Sequence, residues 1–216
     1  RPGGTRGGRR AGRPEMPKHG EVFRNNALEV RWHGRGGQGA KTAALLLAEL
    51  AYEAGRRAQG FPEYGPERMG APITAYTRVS DAAIRTHSNV YEPDLVAVLD
   101  ETLLGSVDVT RGLKEGGRVV VNTSSTSAQA ARLLGLPESR VVAVDASGIA
   151  KGELGKPIPN VPMLAAVVRA SGLLPRDEFL AALREAAAHK FASKPGVVDA
   201  NVRAAERAYG EAFHGY

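Results

Sequence analysis

Three glycines set the first chemical question. Gly34, Gly36 and Gly39 fall in the spacing G-x-G-x-x-G, with Arg35, Gly37 and Gln38 between them. An apolar segment precedes them, and a run with Leu45, Leu46, Leu50 and Ala54 at helical spacing follows. In such a strand–turn–helix unit the first glycine lets the chain turn sharply. The second admits a ligand to the backbone, and the third lets helix and strand pack closely. The helix start then presents free N–H groups and a positive dipole end to a phosphate.

The dinucleotide reading needs an acid at the end of the next strand, about 20 residues on. The segment Arg56 to Gly60 supplies none, although Arg56 and Arg57 would suit a 2′-phosphate. A Walker A motif needs G-K-[ST] contiguous. Here Ala40 separates Gly39 from Lys41, which turns the lysine about 100° off the required face. ATPase chemistry is thereby excluded.

The remaining side chains give no complete catalytic set. His19, His33, His87, His189 and His214 are scattered without metal-ligand spacing, and G-x-S-x-G is absent. His33 is expected only to pack beside the turn. Asp94 and Asp100 would make a carboxylate pair only if brought together, and strand-end acids more often cap helices and turns. There is no cysteine, hence no disulfide, no thiolate nucleophile and no cysteine-ligated iron–sulfur cluster in this chain.

The elements that must position these residues read as α/β. Strands are predicted over 27–32, 57–60, 73–79, 95–99, 118–122 and 140–144, with a hairpin partner for the third over 84–89. Helices are predicted over 40–54, 127–134, 161–171, 175–188 and 198–212. Apolar strands alternating with helical connections predict a Rossmann-like, mostly parallel sheet with helices on both faces and a helical C-terminal part. Asp100, Asn122 and Asp145 each fall at or just past a strand's C-terminal end, the edge where ligands bind in such sheets. Two units are expected: a basic Gly/Arg-rich arm over 1–26 and one domain over 27–216.

The net charge of +6 is unevenly spread. Residues 1–20 hold six basic residues and one acidic, whereas the remainder holds 23 and 22. A positive arm on a near-neutral body suits disorder or docking. It has no interleaved aromatics for base stacking, so nucleic acid is not the expected partner. No apolar run approaches the roughly 20 residues of a membrane helix, and no secretory h-region is seen. The expected home is the cytoplasm.

Several strings together resemble a known family. "RWHGRGGQGAKTAA", "FPEYGPERMGAP", "VYEPDLVAVLDETLL" and "IPNVPMLAAVVRASGLL" occur in the order found in the gamma subunit of the 2-oxoacid:ferredoxin oxidoreductases. The likeness runs from Glu29 to Phe213 and is strongest to the pyruvate group, while branched-chain and aryl 2-oxoacid relatives share much of it. The resemblance implies oxidative, reversible decarboxylation of a 2-oxoacid with coenzyme A and ferredoxin. It implies thiamine diphosphate, Mg and 4Fe–4S clusters on alpha, beta and delta partner subunits, and a non-catalytic gamma chain on the coenzyme A side. Carried onto this chain, Gly34, Arg35, Gly36, Gly37, Gln38 and Gly39 would face a coenzyme A phosphate or a partner's backbone. The loop holding Tyr64, Arg68 and Met69 would reach toward the catalytic subunit, with Arg68 as an anion contact. The competing reading is a free-standing NADP-binding Rossmann protein.

Overall fold

The structure, a computed structural model, describes residues 27–63 and 69–212. The basic arm, Tyr64 and Arg68 lie outside the described residues. Six strands form one sheet in the order β2-β3-β1-β4-β5-β6. They are β1 (Ala27–Arg35), β2 (Arg57–Pro62), β3 (Pro72–Ser80), β4 (Leu95–Val98), β5 (Arg118–Asn122) and β6 (Val141–Val144). The helices are α1 (Ala40–Glu53), α2 (Ser127–Leu134), α3 (Ala146–Leu154), α4 (Asn160–Ser171), α5 (Arg176–Lys190) and α6 (Pro195–Glu211). β1, β4, β5 and β6 are parallel, while β3 runs antiparallel to both β1 and β2. The sheet is therefore mixed and mostly parallel.

Two sequence expectations need correction. Residues 84–89 form no strand: the segment is irregular, and Arg78 binds its carbonyls at Thr86 (3.5 Å) and Asn89 (3.1 Å). The helix α3 was not anticipated, because its glycines at 148 and 152 blur the periodicity. Asp145 nucleates it by accepting the Gly148 N–H at 2.8 Å, and Ile149 anchors it in the core.

Helices lie on both faces, as expected, but unequally. The larger core joins α1, α3, α4, α5 and α6 to one face of the sheet through residues such as Leu28, Val30, Trp32, Leu47, Met163, Phe179 and Ala205. On the opposite face, among the described residues, α2 is the α-helix that packs, on the β4–β6 half, through Ala130 and Ala131 against Val96, Val119 and Val121, with Leu103 and Val109 beside it. Among the described residues the other half of that face carries no helix. There the outward residues of β1 and β3 are Glu29, Arg31, His33, Tyr76 and Arg78, covered by irregular chain. Trp32, on the helical side, donates its indole N–H to Thr77 Oγ1 (3.0 Å), which itself donates to the Ala44 carbonyl of α1 (2.8 Å). That relay ties α1 to the strand pair.

α1 also lies directly on β2. A Cβ placed on Gly60 would stand 2.9 Å from the Ala44 carbonyl oxygen and 3.0 Å from Leu45 Cα, both backbone atoms that cannot swing away. Gly60→Ala is expected to lift α1 from the sheet and cost about 2 kcal/mol, read as a lower thermal midpoint by circular dichroism.

Candidate functional site

The glycine-rich turn joins the C-terminal end of β1 to α1. β1 itself runs through Gly34 to Arg35, three residues beyond the predicted end. Gly39 caps α1 with φ 84°, a left-handed conformation, and a Cβ there would meet Asn160 Cβ at 2.9 Å. The start of α4 thus sits on the start of α1, and only glycine fits between them.

Side chains rather than a ligand hold the turn in shape. Gln38 Oε1 accepts the Arg35 N–H at 2.7 Å, and its Nε2 donates to Asp100 Oδ2 at 2.6 Å. Arg35 Nε lies 3.3 Å from the same oxygen. Asp100 Oδ1 accepts the Thr102 N–H (2.9 Å) and hydroxyl (2.6 Å). Burial works against the charge on Asp100. The hydrogen bonds from Thr102 and Gln38, with the Arg35 guanidinium, outweigh it and hold the carboxyl below its ordinary range.

The loop that precedes β3 is laced to this turn. Gly36 forms a bridge with Met69, donates its N–H to the Ala71 carbonyl (3.0 Å) and accepts the Gly70 N–H (3.3 Å). Arg35 Nη1 donates to the Gly70 carbonyl at 3.1 Å. Of the residues singled out from sequence, Arg35 to Gly39 and Met69 therefore form one surface, while Gly34 is buried within β1. Met69 is 90% exposed upon it. Tyr64 and Arg68 belong to the same loop but lie outside the described residues.

Asp100, Asn122 and Asp145 do meet, as their strand-end positions predicted. With Gln38, Thr102, Thr123 and Ser147 they line a cleft of about 270 Å³ at the carboxyl edge of the sheet. Asn122 binds the Leu99 carbonyl (2.8 Å) and Ser147 (Oγ 2.8 Å, N 3.0 Å), and the Thr123 hydroxyl binds Glu101. Each acid serves its neighbourhood: Asp100 caps the short 3-10 turn Glu101–Gly105, and Asp145 caps α3. Ser147 has Asn122 as its polar neighbour, and no base binds it among the described residues. Asp94 and Asp100 stand at opposite ends of β4 and form no carboxylate pair.

The dinucleotide geometry also fails to assemble. β2 runs on to Pro62, so an acid, Glu63, does stand at its end. But the antiparallel β3 separates β2 from β1. Glu63 instead accepts from the Tyr76 hydroxyl (3.2 Å) and from Asn89 (3.4 Å). Arg56 pairs with Asp81 at 2.8 Å. The groups free to meet an anion are the first-turn amides of α1 and the exposed Lys41. A larger groove of about 570 Å³ lies between α1 and α5, lined by Leu45, Leu46, Leu183 and Phe191, with Thr42 and Asn160 at one end. Sequence reasoning missed it because its walls come from helices far apart in the chain. Among the described residues no cluster of three or more His, Asp or Glu is placed to hold a metal, and no helix is long and apolar enough to cross a membrane.

His33 is buried on the helix-free half-face, accepting from Arg31 Nε at 3.1 Å. Burial first, and the Arg31 cation second, lower its pKa from 6.5 to about 4. An unfolded chain protonates this histidine near 6.5 while the folded chain resists until about 4. Between those values the unfolded state binds more protons, so acid lowers stability. In His33→Gln this part of the loss should vanish, flattening the stability profile between pH 6.5 and 4, measured by urea unfolding. Asp100 acts through a linkage of the same sign at lower pH. Its folded pKa is depressed, so its contribution is present above the unfolded value and fades as pH falls through the folded one. Asp100→Asn should cost about 2 kcal/mol at neutral pH, with the deficit closing in acid below about pH 4.

Comparison with known proteins accounts for this arrangement. The profile of the family "Pyruvate ferredoxin/flavodoxin oxidoreductase" matches residues 29–211. Over 182 residues the chain is 46% identical to the pyruvate/ketoisovalerate oxidoreductases common subunit gamma of Thermococcus kodakarensis, covering 84% of this chain and 95% of that one. It is 45% identical over 184 residues to the pyruvate synthase subunit PorC of Thermotoga maritima, covering 85% and 94%. The crystal structure of pyruvate oxidoreductase subunit PORC from Thermotoga maritima superposes with a TM-score of 0.74 at 43% identity, covering 86% of this chain and 97% of that one. A glycine turn built around its own carboxylate, an incomplete dinucleotide site and near full-length likeness to gamma chains lead to one conclusion: the chain belongs to the pyruvate ferredoxin/flavodoxin oxidoreductase family, as a gamma subunit.

Proposed function

We propose that this chain serves a complex that oxidatively decarboxylates pyruvate with coenzyme A and passes the electrons to ferredoxin, reversibly. The observation that carries the reading is the near full-length identity to PorC and to gamma subunits whose names specify pyruvate. The Thermococcus relative is named for two 2-oxoacids, pyruvate and ketoisovalerate. That favours a second reading, in which this chain is shared by complexes for pyruvate and for a branched-chain 2-oxoacid.

Thiamine diphosphate, Mg and 4Fe–4S clusters belong in this reading to alpha, beta and delta partner chains, and the complex works in the cytoplasm. Without cysteine, this chain cannot ligate a cluster through thiolates. Its own role is to present the surface formed by the glycine turn and the loop before β3. Coenzyme A fits one part of that surface and not another. The first-turn amides of α1 and Lys41 suit a phosphate. The cleft edged by Asp100, Glu101 and Asp145 repels one. Tyr64, Arg68 and Met69 are proposed to continue the contact toward a catalytic partner, and the Rossmann-like arrangement serves as its scaffold.

The test is native purification under argon. The chain should co-elute with partner polypeptides and with broad absorbance near roughly 400 nm from the clusters. The pool should reduce a viologen dye only when pyruvate and coenzyme A are both present, and the chain alone should turn over nothing. Elution alone, colourless and with bound NADP, would refute the proposal in favour of the dinucleotide reading.

A further inference from the structure

Two arginines are buried side by side on the helix-free half of the sheet, and they are treated differently. Arg78, 5% exposed, has a carboxylate: Glu29 accepts from its Nε at 2.7 Å. Its other nitrogens reach the Thr86 and Asn89 carbonyls. Arg31, 7% exposed, has none. Its Nε donates to neutral His33, and its Nη2 to the carbonyls of Val109 (3.1 Å) and Arg111 (2.6 Å). Among the described residues no acid lies within ion-pair distance of it. Glu63 and Asp108 are its more distant anionic neighbours, and Arg111 adds a like charge. The carbonyls explain how Arg31 pins the β4–β5 connection to the sheet. They do not neutralise it, and a desolvated cation without a counter-charge is expensive.

We infer that Arg31, with the adjacent His33, receives a carboxylate side chain from a neighbouring chain of the complex. The inference rests on the reading of this chain as a gamma subunit. Two features favour a protein carboxylate over a small free anion. Among the described residues this half-face has no helix over it, whereas α2 covers the β4–β6 half. Beside it stands Tyr91, 69% exposed and near enough to couple to the Tyr76 phenol, the kind of aromatic that accompanies arginine in interface centres. The depressed pKa of both Arg31 and His33 agrees with a site that lacks its anion in the isolated chain.

The test supplies the missing charge from within. Thr74 is half-buried, stands opposite His33 on β3 and makes no side-chain hydrogen bond. Directly opposed residues bring their Cβ atoms to about 5 Å, so in Thr74→Glu a carboxylate faces His33 and reaches toward Arg31. The full-length variant should unfold at a higher temperature than the native chain, and the His33 midpoint, followed by proton NMR, should move upward from about 4. Reassembly with the partner chains, measured as a dissociation constant, should weaken about tenfold or more because the position is filled. Arg31→Gln should also weaken assembly, but with a lower unfolding temperature, since it unpins the β4–β5 connection. Native-like assembly by Thr74→Glu would overturn the inference alone. A native chain that assembles with nothing would overturn the gamma-subunit reading with it. If acetate raises the unfolding temperature and the His33 midpoint while Thr74→Glu assembles normally, the receptor serves a free carboxylate and the inference fails.

Discussion

The carboxyl edge of this protein depends on a single carboxylate. Asp100 accepts from Thr102 twice and from Gln38 once and pairs with the Arg35 guanidinium, so both of its oxygens are engaged by neighbours from two segments, the glycine turn and the following 3-10 turn. Glycine turns of this spacing are permissive by nature, and backbone freedom alone would leave many conformations open. The Gln38 bridge removes that freedom, because the amide binds the turn's own Arg35 N–H with one atom and Asp100 with the other. Arg35 extends the constraint to the Gly70 carbonyl, which fixes the loop before β3 against the turn. Charge-assisted bonds of this kind are roughly twice as strong as neutral ones. The surface is thus already built before any partner or ligand arrives.

The order of the strands has a second consequence. An antiparallel β3 between β2 and β1 pushes the strand after α1 one place outward, and with it the acid that would otherwise hold a ribose. The same insertion makes half of one sheet face alternate polar and apolar residues, as antiparallel strands do, while the parallel half stays apolar on both sides. Leu28, Val30 and Trp32 go to the helices, and Glu29, Arg31 and His33 go to the helix-free side. A glycine turn that resembles a nucleotide site therefore sits in a fold whose strand order does not bring an acid to the place a dinucleotide ribose would need. That agrees with a chain that works within a larger oxidoreductase.

Much of the fold was legible from local pattern. The valine-rich runs at 95–98, 118–122 and 141–144 are short, apolar and bounded by polar residues, and they are buried parallel strands. α1 follows its turn because Leu47, Leu50 and Ala51 repeat on one face. Errors arose where local pattern and tertiary context part. The segment 84–89 alternates like a strand, yet its carbonyls serve Arg78 rather than a ladder. α3 has weak periodicity and exists because Asp145 caps it and Ile149 finds the core. The strand ends at Asp100, Asn122 and Asp145 were found correctly, since an apolar run that stops on a polar residue marks an edge.

The sequence by itself determined the α/β class, the glycine turn, the absence of thiolate chemistry and, through four ordered strings, the family. Those are properties of residue type and spacing, which need no knowledge of what lies across the fold. Only the tertiary structure decided that β3 enters between β1 and β2, that Gln38 and Asp100 fill the turn, and that Arg78 is buried against Glu29 while Arg31 has no acid beside it among the described residues. Each of these joins residues separated by up to 80 positions in the chain. Strand order and charge pairing are set by which distant surfaces meet, and periodicity along the chain carries no record of that.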